Sequence, residues 1–357
     1  MDFRRFLPST SPLAELPLTT FKGLSMKTWK LTTPNTLEHQ TTDDLKISAG
    51  LSKVKITKAL VSDSDASIFC GATKVKYPIV PGRFAIGQVT ETDEGTYLNR
   101  GDRVYLSPCA ENELTELGFE FAGKDVDGFY CDFTLATADT AYTLPASVSD
   151  EAAFLIDPVA VAEKVVDELN LSAGQHVLVL GGGLYGNILC QILIYHRLVP
   201  ILADNNTTRL ELAKKSGIYY TFPNDDTLHD NVLRVTGGKL AEGAVYFAFN
   251  NPSEPSAIFA HVSNGAHVAF CSRDEKVLSI NLQNAMRRNV TITGITECGE
   301  YISNAINLLA TKVVNFSQFS FRSFPEEKLP SLLKEYAEKA NKPAVADEYI
   351  DIVKFIF

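Results

Sequence analysis

His176-Val-Leu-Val-Leu-Gly181-Gly182-Gly183-Leu184-Tyr185-Gly186 is the stretch whose reading decides the fold. A short apolar β-type run enters three consecutive glycines, and an apolar helical run follows through about Tyr195. In the spacing Gly181-x-Gly183-x-x-Gly186 each glycine has its own task. Gly181 makes the tight turn, Gly183 lets a pyrophosphate approach the backbone, and Gly186 lets helix and strand pack closely. The helix N-terminus then attracts the phosphate charge. Leu184 and Tyr185, which open that helix, belong to the same set of cofactor-contacting candidates. A second strand ends at Asp204, 23 residues past Gly181. A carboxylate there can accept from both ribose hydroxyls and repel a 2′-phosphate, so the pattern favours NAD over NADP. Asn205 and Arg209 follow at the same strand end, and a guanidinium at that place can stack on adenine or hold a 2′-phosphate. The competing readings are a glycine-rich turn without a ligand and a helix-capping Asp204.

Outward from this motif, short apolar strands alternate with amphipathic helices, the signature of a doubly wound parallel sheet. The strands expected are His176–Leu180, Val199–Asp204, Tyr219–Phe222, Ala244–Phe249, His267–Cys271 and Val290–Ile295, enough for a complete dinucleotide-binding domain. Upstream, between Lys46 and Thr143, the runs Val54–Leu60, Ala85–Thr90, Arg103–Leu106 and Phe129–Leu135 are punctuated by glycines and read as a mostly β domain. The texture changes near Pro158, where Val159–Leu169 carries apolar residues at helical spacing. Beyond Thr296 a helix over Tyr301–Thr311, the run Phe319–Phe324, a helix over Glu326–Lys339 and an apolar strand Asp351–Phe357 fold back onto the first domain. The division expected is a flexible leader over 1–25, a β domain built from 26–158 and 297–357, and a nucleotide-binding domain over 159–296.

Composition narrows the function classes. A chain of 357 residues exceeds the size at which single cores stop growing, so two domains are natural. Its 33 basic and 43 acidic side chains leave a net charge of -10, with no basic run that could gather a phosphate backbone, which argues against nucleic acid. The most apolar stretch, Asn187 to Ala203, is interrupted by Gln191, His196, Arg197 and Pro200 and falls short of a membrane span. Six scattered cysteines without a CxxC pair give neither a disulfide framework nor a thiolate zinc knot, and they fit reduced thiols in a cytoplasm.

The order of a β domain, a nucleotide domain and a returning helix and strand resembles the medium-chain dehydrogenase/reductase family, nearest its sorbitol and threonine dehydrogenase branch. The residues that carry the match are Phe69-Cys70-Gly71, Pro78 to Gly87, Gly101-Asp102-Arg103-Val104, Asp127-Gly128-Phe129 and Leu155-Ile156-Asp157-Pro158. The resemblance implies an α/β protein, with a mostly β GroES-like catalytic domain beside a doubly wound Rossmann domain. It also implies hydride transfer between NAD(H) and a small-molecule substrate, a carbonyl, alcohol or activated alkene. A homodimer or homotetramer joined through the edge strand Val290–Ile295 is expected as well.

In zinc-using relatives a cysteine at the position matched to Cys70, a Gly-His-Glu triplet and an acid before a proline surround the metal. Here the triplet reads Gly82-Arg83-Phe84, and an arginine cannot deprotonate to bind a cation. Cys70 and Asp157 remain, two potential ligands where catalytic zinc takes three, so the expectation is NAD chemistry without zinc. The structural zinc lobe has only Cys109 and Cys131. The hydroxyl expected two places after the cysteine is Ala72, with Thr73 one place later. The candidate catalytic set is therefore Cys70, Thr73, Arg83 and Asp157. Arg83 and Asp157 are expected to form an ion pair or hydrogen-bonded network in the space a metal would take, either stabilising charge on a substrate oxygen or only neutralising each other. Cys70 reads equally as a buried apolar filler, and Tyr77, Tyr105 and Tyr130 as proton donors or core residues. Two other classes stay open: a zinc polyol dehydrogenase with a rebuilt metal site, and a catalytically silent NAD-binding protein.

Overall fold

The computed structural model describes residues 25–109, 120–247, 255–272, 279–296, 299–340 and 349–354. It opens with an antiparallel hairpin of β1 (Met26–Thr33) and β2 (Thr36–Thr42), turned at Asn35 with φ +63. Sequence reading missed this hairpin because β2, Thr-Leu-Glu-His-Gln-Thr-Thr, has almost no apolar alternation and no buried residue. Then come β3 (Ser52–Val61), α1 (Asp63–Phe69), β4 (Ala85–Thr92), β5 (Arg103–Leu106), β6 (Phe133–Ala136) and β7 (Ala141–Thr143). The strand expected over Phe129–Leu135 is shorter than its letters suggest. Phe129 N–H donates to Gly82 O and Tyr130 N–H to Pro81 O, so this part of the run is tied to the Gly82 loop and not to a ladder.

After α2 (Asp150–Ala153) the long helix α3 (Ile156–Leu169) carries the chain across. It is buried along most of its length and ends at a left-handed Asn170. The second sheet is then wound by β8 (His176–Leu180), α4 (Leu184–Tyr195), β9 (Val199–Asp204), α5 (Thr207–Lys215) and β10 (Tyr220–Pro223). Its other half is α6 (Leu228–Val235), β11 (Ala241–Phe247), β12 (Val262–Cys271), α7 (Gln283–Arg287) and β13 (Thr291–Ile295). All neighbours pair parallel in the order β10-β9-β8-β11-β12-β13. The strand direction of travel therefore reverses between β8 and β11, which opens a crevice at their carboxyl ends. The last two residues of the expected strand Ala244–Phe249 lie outside the described residues, and the strand itself starts earlier, at Ala241.

The tail returns to the first sheet as expected. After α8 (Ile302–Ala310) come β14 (Ser320–Pro325), α9 (Leu329–Ala340) and β15 (Tyr349–Lys354). β15 pairs antiparallel with β3 and parallel with β14, and α9 buries Leu329, Leu332 and Leu333 in the core of the β domain. The first sheet runs β14-β15-β3-β4-β5-β7, with β6 on β3. One hydrophobic cluster joins the two halves, holding Phe84, Ile86 and Tyr105 of the β part together with Ile156, Val159, Val179 and Ile188. The first 24 residues, and with them nearly all of the expected leader, lie outside the described residues; Met26 already belongs to β1 and is buried.

Candidate functional site

The glycine loop is built for close approach. Gly181 has φ +113, a backbone that side chains rarely adopt, and its N–H donates to Ala203 O. A Cβ at Gly186 would lie 1.8 Å from Gly181 O, so helix α4 can meet the end of β8 only through a glycine. Gly183 differs: it is the N-cap of α4, and the nearest protein atom to a Cβ there is Arg209 Cζ at 3.9 Å. The protein packs tightly on one side of the loop and leaves Gly183 facing a cradle.

Asp204 sits under this cradle, 8% exposed. Gly182 N–H donates to its Oδ2 at 2.6 Å, Asn206 N–H donates to its Oδ1 at 2.7 Å, and the Arg209 guanidinium lies 3.5 Å from Oδ2. The carboxylate is thus fixed at the end of β9 by the loop it serves. Helix capping at this corner is the work of Asn206, whose Oδ1 accepts from Thr208 and Arg209 N–H, and not of Asp204. Asn205 is exposed beside it, and Leu184 and Tyr185 are half-buried at the start of α4. The donor set and the open face at Gly183 fit a dinucleotide.

In the β domain the candidates fall at the two ends of α1 and on the Gly82 loop. Cys70 is the C-cap of α1, its Sγ 3.6 Å from Ser67 O; it lies beside Tyr77, whose hydroxyl is pushed up by burial and by this cysteine. Thr73 is half-buried in the turn that follows, its N–H on Ser67 O. The residues brought against Gly82 and Arg83 come from the other end of α1, about 12 Å away along the helix. Ser62 caps α1 in a reciprocal box with Asp65: Asp65 N–H reaches Ser62 Oγ, and Ser62 N–H donates to Asp65 Oδ2 at 3.0 Å. Ser62 Oγ also donates to that oxygen, at 2.5 Å, and Gly82 N–H donates to Oδ1 at 3.2 Å. Asp65 is 1% exposed, and burial raises its carboxyl above the ordinary range against the opposing pull of Ser62 and the Arg83 charge. The missed signal was Ser62-x-x-Asp65 ahead of the apolar run Ala66–Phe69, a capping box in plain letters.

Arg83 is buried, with its guanidinium 5.2 Å above the Phe121 ring. Gly82 places it: φ is +103, and a Cβ would stand 2.7 Å from the Tyr130 ring. Arg83 and Asp157 are both buried, as a pair or network between them would require. Asp157, 3% exposed near the start of α3, accepts from the Tyr185 hydroxyl at 2.6 Å. Of the three tyrosines proposed as donors, Tyr130 is fully buried. Its hydroxyl donates to Leu60 O at 3.0 Å, and burial and Asp65 push it well above its ordinary range, which suits a core residue. Tyr105 is likewise buried in the shared core.

The residues here do not fit a catalytic zinc. A guanidinium stands where an imidazole would be needed, and the acid already accepts a phenol. Among the described residues no three His, Cys, Asp or Glu side chains gather as a metal group. Cys109 and Cys131 are both buried, and burial with Asp132 and Asp127 nearby pushes the Cys131 thiol up, away from the thiolate a metal requires.

The alcohol dehydrogenase GroES-like domain model matches residues 48–146. Sorbitol dehydrogenase of Rattus norvegicus is 29% identical over 272 residues, covering 71% of this chain and 75% of its own length. The structure of the short chain alcohol dehydrogenase rspB of Escherichia coli CFT073 with NADH has a TM-score of 0.80 at 22% identity, over 93% of this chain and 99% of that one. A zinc-binding dehydrogenase of Sinorhizobium meliloti 1021 bound to NADP has a TM-score of 0.76 at 18% identity, over 93% and 99%. At these identities the two structures establish the fold, while the sequence match joins the GroES-like domain to the dehydrogenases. The chain carries an alcohol dehydrogenase GroES-like domain and is similar over most of its length to sorbitol and zinc-type alcohol dehydrogenases, which supports an NAD(P)-dependent oxidoreductase with the medium-chain dehydrogenase/reductase fold.

Proposed function

We propose that this protein is an NAD(H)-dependent oxidoreductase that moves hydride to or from a small carbonyl, alcohol or activated alkene without a catalytic zinc ion. The observation that carries the reading is the cradle at Gly183, open on its ligand side, with Asp204 anchored beneath it by Gly182 N–H. Bound there, the nicotinamide supplies or accepts the hydride. The chain's own part is to orient the dinucleotide on α4, to exclude water between the two halves, and to set the electrostatics of the cleft. Arg83 supplies a fixed positive charge beside Gly82, at the place where zinc-using relatives carry an imidazole ligand. Buried with Asp65 and Phe121, it is little screened by solvent, so charge developing on a substrate oxygen in the cleft is favoured even without direct contact.

NAD is preferred to NADP in this reading because Asp204 presents a carboxylate at the ribose position, while Arg209 is drawn onto that carboxylate. No helix among the described residues is long and apolar enough to cross a membrane, and the cysteine usage supports a cytoplasmic protein. Self-association would use β13, which closes the second sheet with β12 on one side only and lies near exposed Leu282, Met286 and Ile292. Gel filtration with light scattering should give a homodimer or homotetramer; a monomer at micromolar concentration would contradict this part.

The test is a titration with NADH and NADPH, a zinc count by mass spectrometry on the same sample, and a screen of carbonyls and activated alkenes with NADH. Preferential NADH binding, no stoichiometric zinc and turnover on that panel are the results expected. One tightly held zinc per chain would replace this reading with a polyol dehydrogenase whose metal site is rebuilt, and NADH binding without turnover would leave a silent binding protein.

A further inference from the structure

Tyr185 is the second residue of α4 and leaves the glycine loop at the carboxyl end of β8. Phe247 ends β11, the strand next to β8 across the crevice, and the two rings lie 6.1 Å apart with their planes tilted by 47°. The pair therefore lines the crevice in which a dinucleotide lies across an open sheet. Tyr185 also reaches back 28 residues in sequence to Asp157 Oδ2. The hydroxyl and the carboxylate thus meet across the start of α4 and the start of α3. Asp157 is almost wholly removed from water, and a desolvated carboxylate has to be compensated. A short phenol-to-carboxylate bond does this and at the same time fixes the rotation of the ring.

We propose that the Tyr185 ring is the surface against which the nicotinamide end of the dinucleotide rests, and that Asp157 is a positioning residue that holds this ring through its hydroxyl. The proposal rests on the reading of the glycine loop as a dinucleotide site. It gives the acid that zinc-using relatives place near their metal a different task, orientation of the cofactor's reactive ring from behind. An aromatic face suits a flat heterocycle by stacking, and a ring clamped at both edges loses little freedom when the cofactor arrives.

Two probes separate the proposal from the reading beneath it: NADH, and ADP-ribose, which lacks the nicotinamide. Dissociation constants for both are measured on the purified full chain and on Tyr185→Phe, Asp157→Ala and the double variant, with thermal melts to confirm folding. Tyr185→Phe keeps the ring and loses the clamp; it should weaken NADH about tenfold, the scale of one hydrogen bond to a charged group, and leave ADP-ribose within twofold. Asp157→Ala should weaken NADH similarly, and in the Tyr185→Phe background it should add almost nothing. Equal weakening of both probes would reduce the pair to a structural brace, and unchanged NADH binding in Tyr185→Phe would remove the clamp altogether; either result overturns the proposal. A wild-type chain that binds neither probe overturns the glycine-loop reading, and the proposal with it.

Discussion

Replacing Gly183 and Gly186 separately by alanine sets apart what the loop does for the fold from what it does for a ligand. At Gly186 the new Cβ would stand 1.8 Å from Gly181 O, so the strand end or the helix must move by more than an ångström to restore a normal contact. Overpacking of this kind costs roughly 1–3 kcal/mol, and here the opposing atom is backbone, so the upper end is expected. At Gly183 the new Cβ meets nothing closer than Arg209 Cζ at 3.9 Å, and φ −65 is open to any residue. The cost to folding there is the preference of an N-cap for glycine over alanine, about 0.5–1 kcal/mol. Binding reverses the order of interest: Gly183→Ala puts a methyl group into the cradle that a pyrophosphate would fill and should weaken NADH at least tenfold in a nearly normal fold. Thermal melts and NADH titration of both variants are the assay. A Gly183→Ala protein that binds NADH like the wild type would refute the placement of the pyrophosphate, and a Gly186→Ala protein of wild-type stability would refute the close approach.

Other consequences can be measured directly. Asp204→Ala removes the acceptor for Gly182 and Asn206 N–H and the partner of Arg209, so NADH should weaken more than NADPH, shifting their affinity ratio toward NADPH; an unchanged ratio in paired titrations would count against the ribose assignment. Arg83→Met removes a positive charge that favours the buried Asp65 carboxylate and should destabilise the fold by roughly 1–3 kcal/mol where that carboxylate is ionised. Because the Asp65 carboxyl is already raised, it takes up a proton as pH falls and the penalty should shrink; urea unfolding that gives the same difference at pH 7 and pH 5 would contradict this. His261 is depressed to about 4 by burial, His229 and Arg288, so the unfolded chain binds its proton first and stability is lost as pH falls from about 6.5 toward 4. His261→Gln should flatten that acid-side loss by up to about 2–3 kcal/mol, read from unfolding curves at pH 7, 5.5 and 4.5.

Legibility followed the range of the interactions. Strands β8 and β9 match their expected limits residue for residue, since each is an unbroken apolar run buried on both faces and bounded by loop residues. The glycine loop was equally plain, because backbone geometry restricts which residue can stand at each position. The β1–β2 hairpin was invisible, since its polar letters carry no period. The Phe129 run was overread as strand because its apolar residues serve the Gly82 loop. The charges themselves were also legible: a buried arginine and a buried acid were expected at 83 and 157, and both are buried.

Two neighbours of these charges, Asp65 and Tyr185, were not legible, and the reason is general. A desolvated charge is compensated by whichever polar group its own packing unit brings nearest, and that choice is made by helix placement and not by sequence order. α1 swings Asp65 against Gly82 and the Arg83 charge, while α4 swings Tyr185 over the start of α3. Arg83 thus shares the electrostatics of the β domain with Asp65, and Asp157 ties the glycine loop to α3. Cys70, matched by its neighbouring letters Phe69 and Gly71, caps the far end of α1. At the junction of β3 and α1 stands Ser62, whose hydroxyl is engaged by the Asp65 carboxylate. The permanent cation at Arg83, held beside Gly82, gives this part of the β domain a group that can polarise an oxygen and cannot itself ligate zinc.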